Sequence, residues 1–294
     1  MNNAITFSRK NINQGALPNL IIIGAMKCGT TSLHHYLNQH PEISMSSEKE
    51  LNFFRVDMNW WRGIEWYKSQ FSGSTKIRGE TSPGYSACHR FQGVASRIHS
   101  VVPEAKLIYI LRDPVERIVS QYTHRKSDGV EHRTLDKVLA QCHRPDDDYI
   151  VRSQYYLQLK EYLNYFSPRQ ILILTLEELS SHPQTTLKKV FRYLEVDDSF
   201  EIPQTDKKLH QTKNKVQKNS RGFFLSRMPL LHRVNSLQHE TRWKIERLLY
   251  TPFSQPIEKP QLSPELRQQI IDLLRDDMAL LREYTGEDFS NWCV

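Results

Sequence analysis

The residues best suited to chemistry lie between positions 24 and 32, where the chain reads GAMKCGTTS directly after the apolar run LIII. Two glycines five apart, one lysine and three successive hydroxyl residues describe an anion cradle. Gly29 lets the backbone come close to a ligand, the amides of Lys27, Cys28, Gly29, Thr30 and Thr31 can donate to it, and Thr30, Thr31 and Ser32 add hydroxyl donors. The Cys28 side chain needs only to be small for this purpose. The pattern departs from the ATP-binding loop G-x-x-x-x-G-K-[ST]: Thr30, before Thr31, stands where the lysine belongs, and Lys27 comes three places early. A second chemical group follows in KLIYILRDPVERIVS, residues 106 to 120. Arg112 leaves an apolar run with a planar fork suited to two parallel hydrogen bonds to phosphate. Ser120 comes eight residues later, roughly 12 Å further along a helix axis, so the turn between them must fold back if both are to touch one phosphate. The competing role for Arg112 is an ion pair with Asp113 or Glu116.

Strands and helices must hold these groups in place. NLIIIG (19–24) reads as a buried parallel strand closed by glycine. Thr30 to Gln39 reads as a helix with Leu33, Tyr36 and Leu37 on one face and His34-His35 on a solvated one, stopped by His40-Pro41. KLIYILR (106–112) repeats the plan, with Asp113-Pro114 opening a helix, and QILILT (170–175) is a third strand. Helices are expected over 149–166, 184–194 and 263–284, the last with Ser263 as N-cap, Pro264 in the first turn and Glu265 matching the dipole. Strands alternating with helices imply an α/β fold: a single domain over 1–294 with a central parallel sheet flanked by helices. Residues 1–17 are expected to be a flexible N-terminus, and the polar, basic stretch 203–222 a surface loop or a lid over an anionic ligand. Ligands of such sheets bind beyond the carboxyl ends of the strands, the edge at which both special turns lie.

Composition narrows the classes. The chain has 294 residues, 25% charged and 38% hydrophobic, which excludes a disordered polypeptide. Its net charge of +7 suits a polyanionic ligand such as a nucleotide, a nucleic acid or an acidic glycan. No run of 18 apolar residues predicts a membrane span, and the N-terminal stretch has no apolar secretory core. The four cysteines are scattered without a C-x-x-C pair, which argues against a zinc site and a disulfide framework and fits reduced thiols in a cytoplasm. In WWRGIEWY (60–67), Trp60, Trp61, Trp66 and Tyr67 either stack on sugars or bases or pack into a core.

GAMKCGTTSL resembles the 5′-phosphosulfate loop of the sulfotransferases that use 3′-phosphoadenosine 5′-phosphosulfate (PAPS), and LRDPVERIVSQYTH (111–124) resembles their 3′-phosphate motif. KELNFF (49–54), RGETSPGYS (78–86) and LREYTGEDFSNW (281–292) are similar to the heparan sulfate-type glycan sulfotransferases and their bacterial relatives. The resemblance implies a P-loop-like sulfotransferase fold. It also implies that Arg112 and Ser120 hold the 3′-phosphate and that Lys27 lies against the bridging oxygen or 5′-phosphate. No metal is required on this reading: a sulfuryl group carries less charge than a phosphoryl group, and one cation with loop amides can take the charge the leaving phosphate gains.

The acceptor hydroxyl must lose a proton, so a base should face the sulfur opposite the leaving phosphate. Glu50, in KELNFF, matches the family's glutamate base, with His89 and His99 as runners-up. In QKNSRG, Lys218, Ser220 and Arg221 are the nearest counterparts of the family's later basic loop. Thr81 stands in GETSP where the heparan sulfate type tends to have lysine, a departure that bears on the substrate. The expected function is transfer of the sulfuryl group to an acceptor hydroxyl, that of a carbohydrate, by a cytoplasmic bacterial-type enzyme or a soluble domain excised from a membrane-anchored one. The alternatives are a small-molecule or lipid acceptor, a Mg²⁺-dependent nucleotide kinase, and a basic module that binds glycan or nucleic acid without turnover.

Overall fold

Leu20–Gly24 (β1) is buried at every residue, the pattern of a central strand covered on both faces. The computed structural model describes residues 16–71, 74–140, 147–203, 216–218, 254–256 and 260–294. β1 lies at the middle of a five-stranded parallel sheet with Ile43–Met45 (β2), Ile77–Thr81 (β3), Lys106–Leu111 (β4) and Ile171–Thr175 (β5), in the order β2-β3-β1-β4-β5. Leu20 pairs with Gly79 and Lys106, and Ile22 with Thr81 and Ile108. At its carboxyl end β1 must finish in glycine, because a Cβ on Gly24 would fall 2.2 Å from the Ser86 hydroxyl oxygen.

The helices are Thr30–Leu37 (α1), Gly63–Ser69 (α2, entered through a 3-10 turn at Trp60–Arg62), Val94–Val101 (α3), Pro114–Ser127 (α4), Leu135–Leu139 (α5), Asp148–Val151 (α6), Tyr155–Leu163 (α7), Leu176–Ser181 (α8), Pro183–Leu194 (α9) and Pro264–Thr285 (α10). Val216–Lys218 (β6) and Ser254–Pro256 (β7) pair antiparallel.

The chain forms two compact units, each assembled from separate stretches of sequence. The first holds the sheet and comprises residues 1–25, 29–110 and 160–205; the second comprises 26–28, 111–159 and 206–294. Within the first, Leu20, Ile22, Leu33, Ile108, Leu187 and Phe191 belong to one buried cluster. Within the second, α4 is fixed by a fully buried Arg117, whose guanidinium donates to Ser153 Oγ (2.6 Å), Gln121 Oε1 (2.8 Å) and the Tyr149 carbonyl (2.6 Å).

The expected helix 149–166 is broken into α6 and α7. Ser153 is held by Arg117, and the Asp277 carboxylate of α10 accepts from the Tyr156 and Leu157 amides at 3.0 and 2.8 Å, capping a new helix start. α10 matches expectation: Ser263 Oγ accepts from the Leu266 amide at 3.2 Å. Part of the expected basic loop 203–222 is instead strand β6, and positions 204–215 and 219–222 lie outside the described residues.

Candidate active site

The strands β1 and β4 are neighbours whose onward connections run to opposite sides of the sheet, β1 toward β2 and β4 toward β5. Their carboxyl ends therefore form a topological switch point, where open α/β sheets bind ligands. The loop after β1 turns through two left-handed residues, Lys27 (φ 73°) and Gly29 (φ 87°). Gly29 precedes α1 directly and its carbonyl accepts from the Leu33 amide at 3.1 Å, so the first amides of α1 face out of the helix start. For a lysine the left-handed conformation costs about 1 kcal/mol or more and is a mark of functional loops.

Within the second unit the loop is tied to Arg112. Cys28 is fully buried, with Sγ 3.7 Å from the Tyr155 hydroxyl, and that hydroxyl donates to the Arg112 carbonyl at 2.7 Å. One side chain thus links the residue after Lys27 to the residue that opens the second motif. The Arg112 guanidinium makes the anticipated ion pair with Glu116 (3.2 Å), using one of its five N–H donors. Asp113 is occupied otherwise: Oδ1 accepts from the Glu116 amide at 2.9 Å as the α4 N-cap, and Oδ2 from the Cys293 amide at 2.7 Å. An aspartate with both oxygens on backbone amides is badly disposed to hold magnesium, which weighs against the kinase reading. Ser120 is buried on the second turn of α4.

In the first unit Glu50 stands at the carboxyl edge of the sheet. Its amide donates at 2.8 Å to the carbonyl of Thr81, the register partner of Ile22 in β1. Its backbone is left-handed (φ 66°), as is that of Asn52 (φ 47°). Asn52 holds the turn by donating twice, from its amide to Ser82 Oγ (3.1 Å) and from Nδ2 to the Glu50 carbonyl (2.8 Å). The Glu50 side chain is 54% exposed and pairs with Lys49 at 2.7 Å.

Beneath this turn lies a group that sequence reasoning passed over. Glu80 is fully buried, accepting from the Tyr67 hydroxyl at 2.8 Å and from Ser82 Oγ at 3.4 Å. Burial pushes its carboxyl up to about 7, although the hydrogen bonds from Tyr67, Tyr85 and Ser82 pull the other way. His34 also departs from expectation. It is half-buried rather than on a solvated face, with Nδ1 2.9 Å from Thr81 Oγ1, and burial followed by the nearby Lys49 charge lowers it to about 4.

Of the runner-up bases, His99 sits on the last turn of α3 against Tyr165 and Phe166. That turn leads into the start of β4, so His99 lies toward the amino edge of the sheet, away from the switch point. His89 is half-buried in the turn that follows β3. The backbone of Lys218 closes β6, while Ser220, Arg221 and Cys142 lie outside the described residues. Among the described residues no group of three or more His, Cys, Asp or Glu is arranged to hold a metal ion, and no helix is long and apolar enough to cross a membrane.

A parallel α/β sheet with a left-handed, lysine-bearing loop and an arginine at its switch point defines the class of open α/β proteins that take ligands at the carboxyl edge of the sheet. The sulfotransferase domain family matches residues 17–281, and the chain belongs to that family, whose co-substrate is PAPS. It is similar to the membrane-associated sulfotransferase kil1 of Dictyostelium discoideum, 44% identical over 111 residues, covering 36% of this chain and 22% of that protein. It is also similar to the heparan sulfate glucosamine 3-O-sulfotransferase 5 of Mus musculus, 33% identical over 189 residues (60% of this chain, 53% of that protein). The bifunctional heparan sulfate N-deacetylase/N-sulfotransferase 4 of Mus musculus is 33% identical over 200 residues (63% and 23%). The chain thus spans between 22% and 53% of the length of these relatives. Among solved structures it is similar to a sulfotransferase from Alicyclobacillus acidocaldarius, with a TM-score of 0.68 and 26% identity over 94% of this chain and 99% of that one.

Proposed function

We propose that this chain transfers the sulfuryl group of PAPS to a hydroxyl of a carbohydrate acceptor. In this reading Lys27 and the amides of residues 27–31 receive the 5′ side of the nucleotide, with the hydroxyls of Thr30, Thr31 and Ser32 beside them. Arg112 and Ser120 receive the 3′-phosphate. Glu50 takes the proton from the acceptor hydroxyl as its oxygen bonds to sulfur. The bond from sulfur to the phosphate oxygen breaks in line, and Lys27 stabilises the charge left on adenosine 3′,5′-bisphosphate. The observation that carries this reading is the Tyr155 hydroxyl, 3.7 Å from Cys28 Sγ and bonded to the Arg112 carbonyl at 2.7 Å, because it ties the two phosphate-binding motifs together. Glu50 supports the role of base by its exposed carboxylate and its anchorage at the carboxyl edge. The carbohydrate acceptor rests on the likeness to the heparan sulfate enzymes.

The test is incubation with radiolabelled PAPS and a panel of glycan, phenol and lipid acceptors, using wild type and Glu50→Gln. The variant should bind adenosine 3′,5′-bisphosphate as wild type does and lose transfer by about two or more orders of magnitude. Label on a phenol or lipid alone would replace the acceptor class. Near-normal turnover by Glu50→Gln would move the base elsewhere, and metal-dependent consumption of ATP would return the kinase.

A further inference from the structure

The aromatic stretch after Glu50 contains three tryptophans with different fates. Trp60 and Trp66 pack on Phe53 with ring centroids 5.2 and 6.1 Å apart, and Phe53 itself stacks on the buried Tyr67 at 4.1 Å and 6°. Trp61 is 77% exposed. Beside it the Arg62 guanidinium lies 5.7 Å from the Trp61 ring and 4.4 Å from the Trp66 ring. A single exposed apolar residue means little, but here Val56 and Met58, 62% and 42% exposed, belong to the same short segment. These three exposed apolar residues lie within six positions of one another, a patch in sequence with the Arg62 cation at its end.

The patch is joined to the reaction edge by a short, bonded path. Asn59 Nδ2 donates to the Leu51 carbonyl at 2.7 Å, fixing the far end of the segment against the neighbour of Glu50. The Arg62 amide then donates to the Asn59 carbonyl at 3.0 Å, which starts the 3-10 turn that presents Trp61 outward. The indole is therefore mounted on a rigid base, two hydrogen bonds from the residue beside Glu50.

We propose that Trp61 and Arg62 form a remote acceptor subsite that holds an acidic oligosaccharide, with a sugar ring stacked on the indole and a carboxylate or sulfate on the guanidinium. This rests on the carbohydrate reading above. An indole face matches the C–H face of a pyranose, and its two side-chain torsions make it cheap to order. The arginine fork matches an oxyanion bidentately, and its contact with Trp66 holds the fork in place before the ligand arrives. Asp57 is paired with Arg55 and Glu65 with Lys68, which leaves Arg62 as the group that favours an acidic chain over a neutral one. A subsite displaced from Glu50 serves a polymer and is out of reach of a single sugar.

The test uses the full chain with radiolabelled PAPS and three acceptors: a glucuronic acid–N-acetylglucosamine hexasaccharide, the corresponding disaccharide, and a neutral chitin hexasaccharide. Trp61→Ala should raise KM for the acidic hexasaccharide about tenfold and leave kcat within about twofold, with little change for the disaccharide. Trp61→Phe should restore most of the loss. Arg62→Gln should erode the preference for the acidic over the neutral hexasaccharide. Adenosine 3′,5′-bisphosphate affinity and melting temperature should match wild type in all three variants, because the side chains are exposed. A wild type active on the acidic hexasaccharide with Trp61→Ala kinetically unchanged overturns the subsite and leaves the carbohydrate reading standing. A wild type inactive on every sugar overturns both.

Discussion

Lys27 combines two features that ordinarily conflict. It is a residue with a Cβ in the left-handed region (φ 73°), and in the proposed reaction it is the lysine that meets the charge gained by the leaving phosphate. If its role were only to add surface charge, a glycine there would relieve the backbone and cost nothing. We expect Lys27→Ala and Lys27→Gly alike to lose kcat by roughly two to three orders of magnitude, the usual loss for one preorganised group facing developing charge, with acceptor affinity retained. Single-turnover rates with radiolabelled PAPS check this. A variant that keeps its turnover would take the charge-stabilising role away from Lys27. Lys27 is legible in the sequence because its position is wrong for ATP, a mismatch contained within the loop itself. Glu50 is legible only through its resemblance. Its left-handed turn depends on the Thr81 carbonyl and on Ser82 Oγ, some thirty residues away in sequence, and nothing local marks it.

Elements are legible where their pattern is local and hidden where it is not. β1, β4 and β5 are apolar runs and α10 carries its cap in sequence, so all four match expectation. β3 reads IRGET, with an arginine and a glutamate in five residues. Its burial comes from tyrosines that solvate Glu80 internally, so no periodicity betrays it. The break between α6 and α7 is of the same kind. RSQ contains no glycine or proline, and the capping carboxylate, Asp277, comes 121 residues after Tyr156. That break starts α7 at Tyr155, whose hydroxyl then meets Cys28 and the Arg112 carbonyl. Tyr155→Phe keeps the ring, its packing near Trp292 (6.0 Å) and its helix. It removes only the bond that steadies the two motifs, worth about 0.5–1.5 kcal/mol. The expected result is adenosine 3′,5′-bisphosphate binding weakened roughly three- to tenfold by calorimetry, with kcat for bound PAPS changed less. Unaltered affinity would mean that the two motifs hold their places without the hydroxyl.

At the scale of the molecule, the class of fold follows from alternating strands and helices, whereas the strand order β2-β3-β1-β4-β5 rests on pairings between distant segments that carry no local signal. The same interior sets how stability answers to pH. Glu80 is a carboxyl raised from 4.5 to about 7 by burial, so the folded chain binds its proton more tightly than the unfolded chain does. Its stabilising contribution is complete below the unfolded value and is lost as pH rises through the window from about 4.5 to about 7, after which the charged form is simply carried as a cost. A tenfold difference in proton affinity is worth about 1.4 kcal/mol, so the rise to about 7 makes roughly 3 kcal/mol the most that can be lost. Asp277, raised to about 6 by burial despite the backbone amides of Leu157, Tyr156 and Tyr155, adds a loss of the same sign. His34, held down near 4, works the opposite way, because its charging in the unfolded chain erodes stability as pH falls below 6.5. These opposing groups make the wild-type profile alone uninformative. A comparison with Glu80→Gln removes their common part. The amide stays neutral, can still accept from the Tyr67 hydroxyl, and can donate to Ser82. The variant should melt at nearly the same temperature as wild type at pH 4.5, pull ahead through pH 6, and hold a constant lead above pH 7.5. A lead that is the same at every pH would mean that the Glu80 carboxyl titrates in its ordinary range, and one that grows toward acid that it titrates below that range; either would mean that its burial does not govern the interior charge of the sheet.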